Sequence, residues 1–188
     1  VPRNFTDVNG TLVFDYEEVG IQTKNMSYED YLFLRGYSLL VETLHNDRVF
    51  EEIFRFALSL GVKRSEMIRR AYNSIGKAPQ AIRDVLDQFL NETDSELWND
   101  ETELVAHYRQ PENYQKLLTG EVGGNLIYKY KALSLTARLE EWITYLVQVC
   151  SEIAAEKLDR PENLEIATSE ITTIADYCRQ KLDGLLLV

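Results

Sequence analysis

The sequence has few of the residues that build metal sites and disulfide frameworks. Its 188 residues include two cysteines, Cys150 and Cys178, and two histidines, His45 and His107. Neither pair has the C-x-x-C or H-E-x-x-H spacing of a metal site. Both cysteines fall on the apolar stripes of predicted helices, where a small buried core residue is the better interpretation. We expect no metal or cofactor in this chain and identify no catalytic residue.

Long apolar runs are also missing. None reaches the roughly 18 residues that indicate a membrane span, and the chain opens without the pattern of a signal peptide. These two features predict no membrane partner and a cytoplasmic location. The segment GEVGG, residues 120–124, lacks the lysine and the preceding strand of a phosphate-binding loop. Its glycines indicate a turn that starts a helix.

Positive charge is scarce: 31 acidic residues stand against 20 lysines and arginines, a formal net charge of −11. This balance argues against general binding to nucleic acids or anionic membranes, because both need positive potential. One segment, KRSEMIRR, runs against the trend with Lys63, Arg64, Arg69 and Arg70. We define these four side chains as the basic patch. A DNA-binding helix, a docking surface for an acidic partner and a plain solvated face remain open for it.

Alternation of period 2 is clear only in TLVFDYEEVGIQT, residues 11–23. Leu12, Phe14 and Tyr16 share one face, and the phase changes after Glu17 and Glu18. Glycines before and inside the segment favour a β-hairpin or a bent edge strand. A strand pair of this size is only marginally stable alone. We therefore expect it to fold back on its own helices or to pair with a second copy in a homodimer.

Most of the remaining sequence has helical periodicity. In MSYEDYLFLRGYSLLVETLHND, residues 26–47, Ser27 and Asp30 have the spacing of a capping box. Leu34, Tyr37 and Val41 lie on one apolar stripe, and further apolar residues widen it nearly all round. A helix of this kind is typically central, with neighbours on several sides.

Further apolar stripes, separated by glycines and prolines, predict a mainly α fold. We expect a bundle of about seven or eight helices with a short N-terminal β-hairpin or strand. The longest predicted helix starts after residue 125 and runs for some 30 residues, or about 45 Å. A last helix carries Leu164, Ile171, Cys178 and Leu182 on its stripe. Residues 1–25 form a strand and linker segment, and residues 26–188 form the helical bundle.

Tyrosine is abundant, with 11 residues. Tyr128 and Tyr130 alternate with Lys129 and Lys131 just after the glycines, and tyrosine is favoured at interfaces because its ring buries area while its hydroxyl keeps a partner. Half-buried packing on the helix explains the same pattern. We retain Tyr128 and Tyr130, with the basic patch, as candidate interface residues.

The segment FDYEEVGIQTKNMSYEDYLFLRGYSLLVETLHNDRVFEEIFRF, residues 14–56, resembles the junction that follows the catalytic barrel in radical S-adenosylmethionine proteins with an N-terminal cobalamin-binding domain. The later GEVGGNLIYKYKA is also similar to that region. The residues that match the junction pattern are Glu17, Glu18, Val19, Thr23, Met26, Ser27, Glu29, Asp30, Tyr31, Leu34, Arg35, Gly36, Val41, Glu42 and Asn46.

The resemblance implies a non-catalytic C-terminal accessory domain of an iron–sulfur enzyme, which covers the barrel or mediates assembly. The parent protein would hold an iron–sulfur cluster, S-adenosylmethionine and cobalamin, and its upstream catalytic domain would be the partner. The family's C-x-x-x-C-x-x-C cluster motif is absent from this sequence, and thiolates hold such clusters. No catalytic residue can therefore be carried over. The alternative is a free-standing acidic helical module that docks a protein partner.

Overall fold

The N-terminal residues form a two-stranded hairpin. The computed structural model describes residues 1–185, with side chains to residue 181. Strand β1 (Asn4–Val8) pairs antiparallel with β2 (Thr11–Asp15), with Phe5 opposite Phe14. Both turn residues have positive φ, 54° at Asn9 and 82° at Gly10, as a tight two-residue hairpin turn requires. The predicted hairpin is thus confirmed, although the sequence analysis located only its second strand.

Nine α-helices follow within residues 1–185. They are α1 (Tyr28–Val41), α2 (Glu51–Ser59), α3 (Arg64–Asn73), α4 (Gln80–Ser95), α5 (Glu101–Tyr108), α6 (Pro111–Leu118), α7 (Leu126–Thr136), α8 (Leu139–Lys157) and α9 (Pro161–Leu185). A π-helical turn (Glu42–Asn46) extends α1, and a 3₁₀ turn (Ile75–Lys77) follows α3. The mainly α class is confirmed. No helix within the described residues is both long and apolar enough to cross a membrane.

Helix α1 begins as the sequence predicts. The Ser27 hydroxyl accepts a hydrogen bond from the Asp30 backbone nitrogen (3.1 Å), and the Ser27 nitrogen donates to the Asp30 carboxylate (2.8 Å). Both bonds complete the capping box, and the bonds that the Ser27 backbone nitrogen and hydroxyl donate to the Asp30 carboxylate hold the pKa of Asp30 below its usual value. Gly36, Leu39 and Leu40 are buried, but Leu34 is 49% exposed. The apolar stripe through Leu34, Tyr37 and Val41 is therefore only partly buried.

The predicted 30-residue helix is two helices. Helix α7 ends at Thr136, α8 starts at Leu139, and Arg138 between them has φ −129° and ψ 17°. The two apolar stripes differ in phase, since Ala137 and Leu139 are only two positions apart, and the break lets each stripe face the core. The prediction of one long helix was therefore wrong, because the segment forms two helices with a break between them.

The main core lies among α1–α4 and α7–α9. Its largest fully buried side chains include Trp142, Tyr145, Phe50 and Phe89. The Tyr145 hydroxyl donates to the Ala71 carbonyl (2.5 Å) and so joins α8 to α3. The stripe of α9 reaches this core through Ala167, Ile171, Ala175 and Cys178, whereas the Leu182 side chain lies outside the described residues.

A second, smaller cluster joins the hairpin to α5 and α6. Leu104, Tyr108 and Leu117 are buried at its centre. Phe14 packs against Tyr108 and Tyr114, with ring centroids 6.4 and 6.2 Å apart. The hairpin thus folds back on helices of its own chain, one of the two expected outcomes. Residues 1–25 share their apolar face with α5 and α6, and a cleft opens where this cluster meets the main bundle.

Candidate functional site

A polar cleft with a volume of about 590 Å³ lies between the N-terminal segment and the helical bundle. This is within the range of small-molecule sites. One wall is residues 16–21, and the floor comes from α1, the end of α4 and the loop to α5. Its lining residues are Val1, Arg3, Tyr16, Glu17, Glu18, Val19, Ile21, Tyr31, Arg35, Thr93, Glu96, Leu97, Trp98, Asn99, Asp100, Glu101 and Leu104.

Polar contacts hold the outer wall in place. Arg3 donates to the carbonyls of Gly123 (3.1 Å) and Gly124 (3.0 Å), which joins the start of the chain to the turn before α7. Tyr16 hydrogen-bonds the Glu101 carboxylate, and this bond raises the pKa of Tyr16 to about 12. The wall is therefore attached to the helical part of the chain at its first residue, Tyr16, and Arg3 beside it adds a second link.

Arg35 is the cationic side chain on the floor. Its guanidinium carbon lies 5.2 Å from the centre of the Phe89 ring, and its Nε atom is buried with no hydrogen-bond partner among the described residues. No ion pair within residues 1–181 includes it. A half-buried guanidinium without a carboxylate is costly to maintain.

Two more donors without partners line the same cleft. Thr93 is 3% exposed, and its Oγ1 atom has no hydrogen-bond partner among the described residues. The Trp98 indole nitrogen is buried in the same state. Thr93 lies one helical turn beyond Phe89, on the side of α4 that faces Arg35. Buried donors without partners cost the fold stability.

Glu96 is the carboxyl group deepest in the cleft. Its side chain is 13% exposed, and Arg3 lies 3.5 Å away. Burial raises the pKa of Glu96, and the neighbouring Arg3 charge offsets only part of that effect. Glu17, Glu18, Asp100 and Glu101 complete the acidic lining. Five carboxyl side chains therefore stand against two guanidinium groups.

The cleft contains several residues of the junction pattern described above. Glu17, Glu18 and Val19 belong to its outer wall, and Tyr31 and Arg35 come from α1. Gly36, the next residue, has no side chain, and the Tyr72 hydroxyl occupies the space beside it. Five of the fifteen residues of the pattern therefore line the cleft, whereas other exposed ones, such as Thr23, Glu29 and Asn46, are not part of its lining.

Two of the four side chains of the basic patch form ion pairs within the chain. Arg64 pairs with Glu51 (2.5 Å), which lowers the pKa of Glu51, and Arg70 pairs with Glu156 (2.6 Å). Lys63, just before α3, and Arg69 on α3 are exposed. Acidic neighbours thus offset two of the four charges of the basic patch, which suits a solvated face better than a concentrated positive surface.

Tyr128 and Tyr130 lie in different environments. Tyr128 is 61% exposed, whereas Tyr130 is 5% exposed and donates to the Glu92 carboxylate (2.7 Å). Burial and this bond raise the pKa of Tyr130. Lys131 pairs with Glu42 (3.0 Å) and Asp47 (2.8 Å). Of the two tyrosines, only Tyr128 is on the surface for a partner to contact.

The cysteines lie in the core, as predicted. Cys150 is fully buried, and Cys178 is 1% exposed. Burial raises the pKa of Cys150 to about 12 and that of Cys178 to about 11, so both thiols are protonated at neutral pH. Within the described residues, no group of three or more His, Cys, Asp or Glu side chains is arranged to hold a metal ion.

The residues of the cleft were not identified from the sequence, because they come from four separate segments. One local signal existed: Arg35 sits in an apolar helix with no acidic residue three or four positions away. In comparisons with known proteins, no family model, curated protein or solved structure matches this chain.

Proposed function

We propose that the chain is a non-catalytic helical domain that acts by binding. We propose that its binding site is the cleft between residues 16–21 and the bundle. The observation that carries this proposal is Arg35, a half-buried cation without an ion-pair partner in the described chain. Because a buried N–H group normally has a hydrogen-bond acceptor, an arginine kept in this state supports a role in recognition.

The resemblance gives this domain a place in a larger protein. We propose that it is the C-terminal accessory domain of a cytoplasmic radical S-adenosylmethionine enzyme. The junction residues that would follow the barrel are Glu17, Glu18 and Val19, and they line the cleft beside α1. A cleft at this junction would lie on the side of the barrel and could shape its substrate region. The iron–sulfur cluster, S-adenosylmethionine and cobalamin would all be held by the upstream catalytic domain.

The reading frame and iron content test this placement. Extending the frame upstream of Val1 should reveal a C-x-x-x-C-x-x-C motif, and the purified full-length product should contain about four irons per chain, since Cys ligands hold such clusters. The 188-residue chain alone serves as the control and should contain none. A start codon directly before Val1, or a full-length product without iron, would contradict the placement.

A free-standing interaction module is the second candidate, and the 61% exposure of Tyr128 favours it. Docking through this tyrosine should be weakened by Tyr128→Ala, which leaves the cleft intact. Tyr130 is not suited to this test, because its substitution would disturb the core. Loss of binding to a captured protein partner in Tyr128→Ala, but not in Arg35→Met, would support this candidate over the cleft.

A further inference from the structure

The turn of the β-hairpin contains the only Asn-Gly pair of the sequence, at Asn9 and Gly10. Both residues have positive φ, 54° and 82°, and both are exposed. The backbone nitrogen that follows an asparagine can attack the carboxamide carbon, and glycine has no Cβ to obstruct that approach. Apart from its two chain neighbours, no residue that the structure describes has an atom within 4 Å of the position a Gly10 Cβ would occupy. The Gly10 nitrogen therefore lies in open space beside an accessible carboxamide.

The Asp7 carboxylate restrains this nitrogen. The Gly10 N–H donates to the Asp7 Oδ1 atom at 2.7 Å. The nitrogen must lose its proton before it attacks, and a carboxylate that accepts from the N–H opposes that loss through its negative charge. Asp7 therefore slows the first step of the reaction for as long as the turn is folded.

We propose that Asn9 is a site of spontaneous deamidation and that Asp7 sets its rate. The Gly10 nitrogen gives its proton to solvent base and attacks the Asn9 Cγ atom. A bond forms between them, the Cγ–Nδ2 bond breaks, and the amide nitrogen leaves as ammonia. Water then adds to one of the two carbonyl groups of the resulting succinimide ring and opens it to aspartate or isoaspartate. The reaction needs only water and base, and the inference does not depend on the proposed function.

Isoaspartate at this position would change the hairpin, because its backbone runs through the former side chain and is one carbon longer. The two-residue turn fixes the strand register, which pairs Val8 with Thr11 and Phe5 with Phe14. The rings of Phe5 and Phe14 both contact Tyr114, with centroids 5.7 and 6.2 Å apart. A longer turn should therefore loosen both the pairing of the strands and the contact of the hairpin with α6.

The chain carries its own control for this reaction. Trypsin cleaves after Arg3 and Lys24, so residues 4–24 form one peptide that contains both Asn4 and Asn9. Asn4 is also exposed, but phenylalanine follows it, and its amide donates to the Asp15 carboxylate at 3.1 Å. After incubation of the whole folded chain at mildly alkaline pH, mass spectrometry should show Asn9 converting at least about tenfold faster than Asn4, because only Asn9 precedes a glycine.

Two variants test the role of Asp7. Asp7→Asn keeps the size of the side chain but removes its charge, and should raise the rate at Asn9 about three- to tenfold. Asp15→Asn is the matched control, since Asp15 also lies in the hairpin and contacts Asn4 rather than Gly10. A hairpin that is merely loosened would speed both variants, whereas the proposal predicts an effect of Asp7→Asn alone. In urea, where the turn is unfolded, Asp7→Asn and the unaltered chain should convert at similar rates.

The effect on the hairpin is measured on the isoaspartate form, separated by anion exchange. Amide hydrogen exchange at Val8 and Thr11 should be at least about tenfold faster in this form than in the unaltered chain, since the loosened strands open more often. Equal exchange would show that the longer turn leaves the pairing intact and would overturn that part of the proposal. Conversion at Asn9 no faster than at Asn4, or an equal acceleration by Asp7→Asn and Asp15→Asn, would overturn the rest.

Discussion

The guanidinium of Arg35 rests on the ring of Phe89, with 5.2 Å between the guanidinium carbon and the ring centre. Phe89 is fully buried, so the ring is a fixed platform from α4 beneath a side chain of α1. The contact orients a cation that has no ion-pair partner in the described chain. Cation–π contacts of this kind contribute about 0.5–2 kcal/mol.

A double-mutant cycle measures that contact. Arg35→Met and Phe89→Leu, made singly and together, should give a coupling free energy of about 0.5–1 kcal/mol from urea unfolding, because each substitution removes one partner. Arg55→Met with Phe89→Leu is the control pair, since Arg55 is a largely exposed arginine whose ion pair is with Glu51 on its own helix. A coupling indistinguishable from the control pair would show that the guanidinium does not rest on this ring.

The Tyr72 side chain leaves no room for a side chain at position 36. A Cβ on Gly36 would stand 2.5 Å from the Tyr72 hydroxyl, which donates to the Phe33 carbonyl at 3.0 Å. Gly36→Ala should therefore lower the free energy of unfolding by about 1–3 kcal/mol, although alanine is the better helix former. Adding Tyr72→Phe should reduce that cost, because it removes the clashing atom.

Gly76→Ala is the control for this prediction. Apart from its two chain neighbours, no residue that the structure describes has an atom within 4 Å of the position its Cβ would occupy, so its effect on unfolding should be within about 0.5 kcal/mol. If Gly36→Ala were as well tolerated as Gly76→Ala, the close packing of α1 against Tyr72 would be wrong. Both effects can be read from the same urea titrations.

Glu96 should make stability depend on pH. Its pKa is raised in the folded chain, chiefly by burial, so the fold favours the protonated carboxyl. That contribution is fully present below the unfolded value near 4.5 and is lost as pH rises through the folded pKa. Glu96→Gln should therefore melt at a higher temperature than the unaltered chain at pH 7, and at nearly the same temperature at pH 4.

The exposed Glu121→Gln variant controls for the loss of one negative charge. It should give the same small difference in melting temperature at both pH values, because Glu121 is on the surface. Destabilisation by Glu96→Gln at pH 7 would mean that the pair with Arg3 outweighs burial. The direction of the pKa shift would then be opposite to the one the geometry indicates.

Local sequence signals located the starts of α1 and α7. The cap at Ser27 is predicted because a Ser-x-x-Asp pair acts within one turn, and the glycine-rich turn predicts a helix after residue 125, where α7 begins at Leu126. Periodicity does not predict strand β1, because its hydrophobic residues, Phe5 and Val8, do not alternate regularly. The break after Thr136 was missed because both stripes are apolar and only their phase differs.

The cleft could not be derived from local patterns. Arg35, Thr93 and Trp98 line the same cleft because α1 packs against α4 and the N-terminal segment folds over both. No fixed spacing in the sequence encodes such a meeting of segments. Conversely, the conspicuous charges at Arg64 and Arg70 turned out to have acidic partners within the fold, which composition alone does not reveal.

Thr93 gives the simplest test of the donors without partners at the floor of the cleft. Valine has nearly the same shape as threonine but no hydroxyl, and a buried hydroxyl without a partner costs about 1–3 kcal/mol. Thr168→Val on α9 is the control, because the Thr168 hydroxyl donates to the Leu164 carbonyl at 2.8 Å. Its effect should be small, since the position is exposed.

The decisive measurement is the free energy of unfolding of Thr93→Val by urea titration, compared with the unaltered chain in the absence of any ligand. A buried hydroxyl that has no hydrogen-bond partner among the described residues predicts an increase of about 1–3 kcal/mol. A decrease would contradict the account, because it would show that the Thr93 hydroxyl already stabilises the fold and that the cleft floor is an ordinary part of the core.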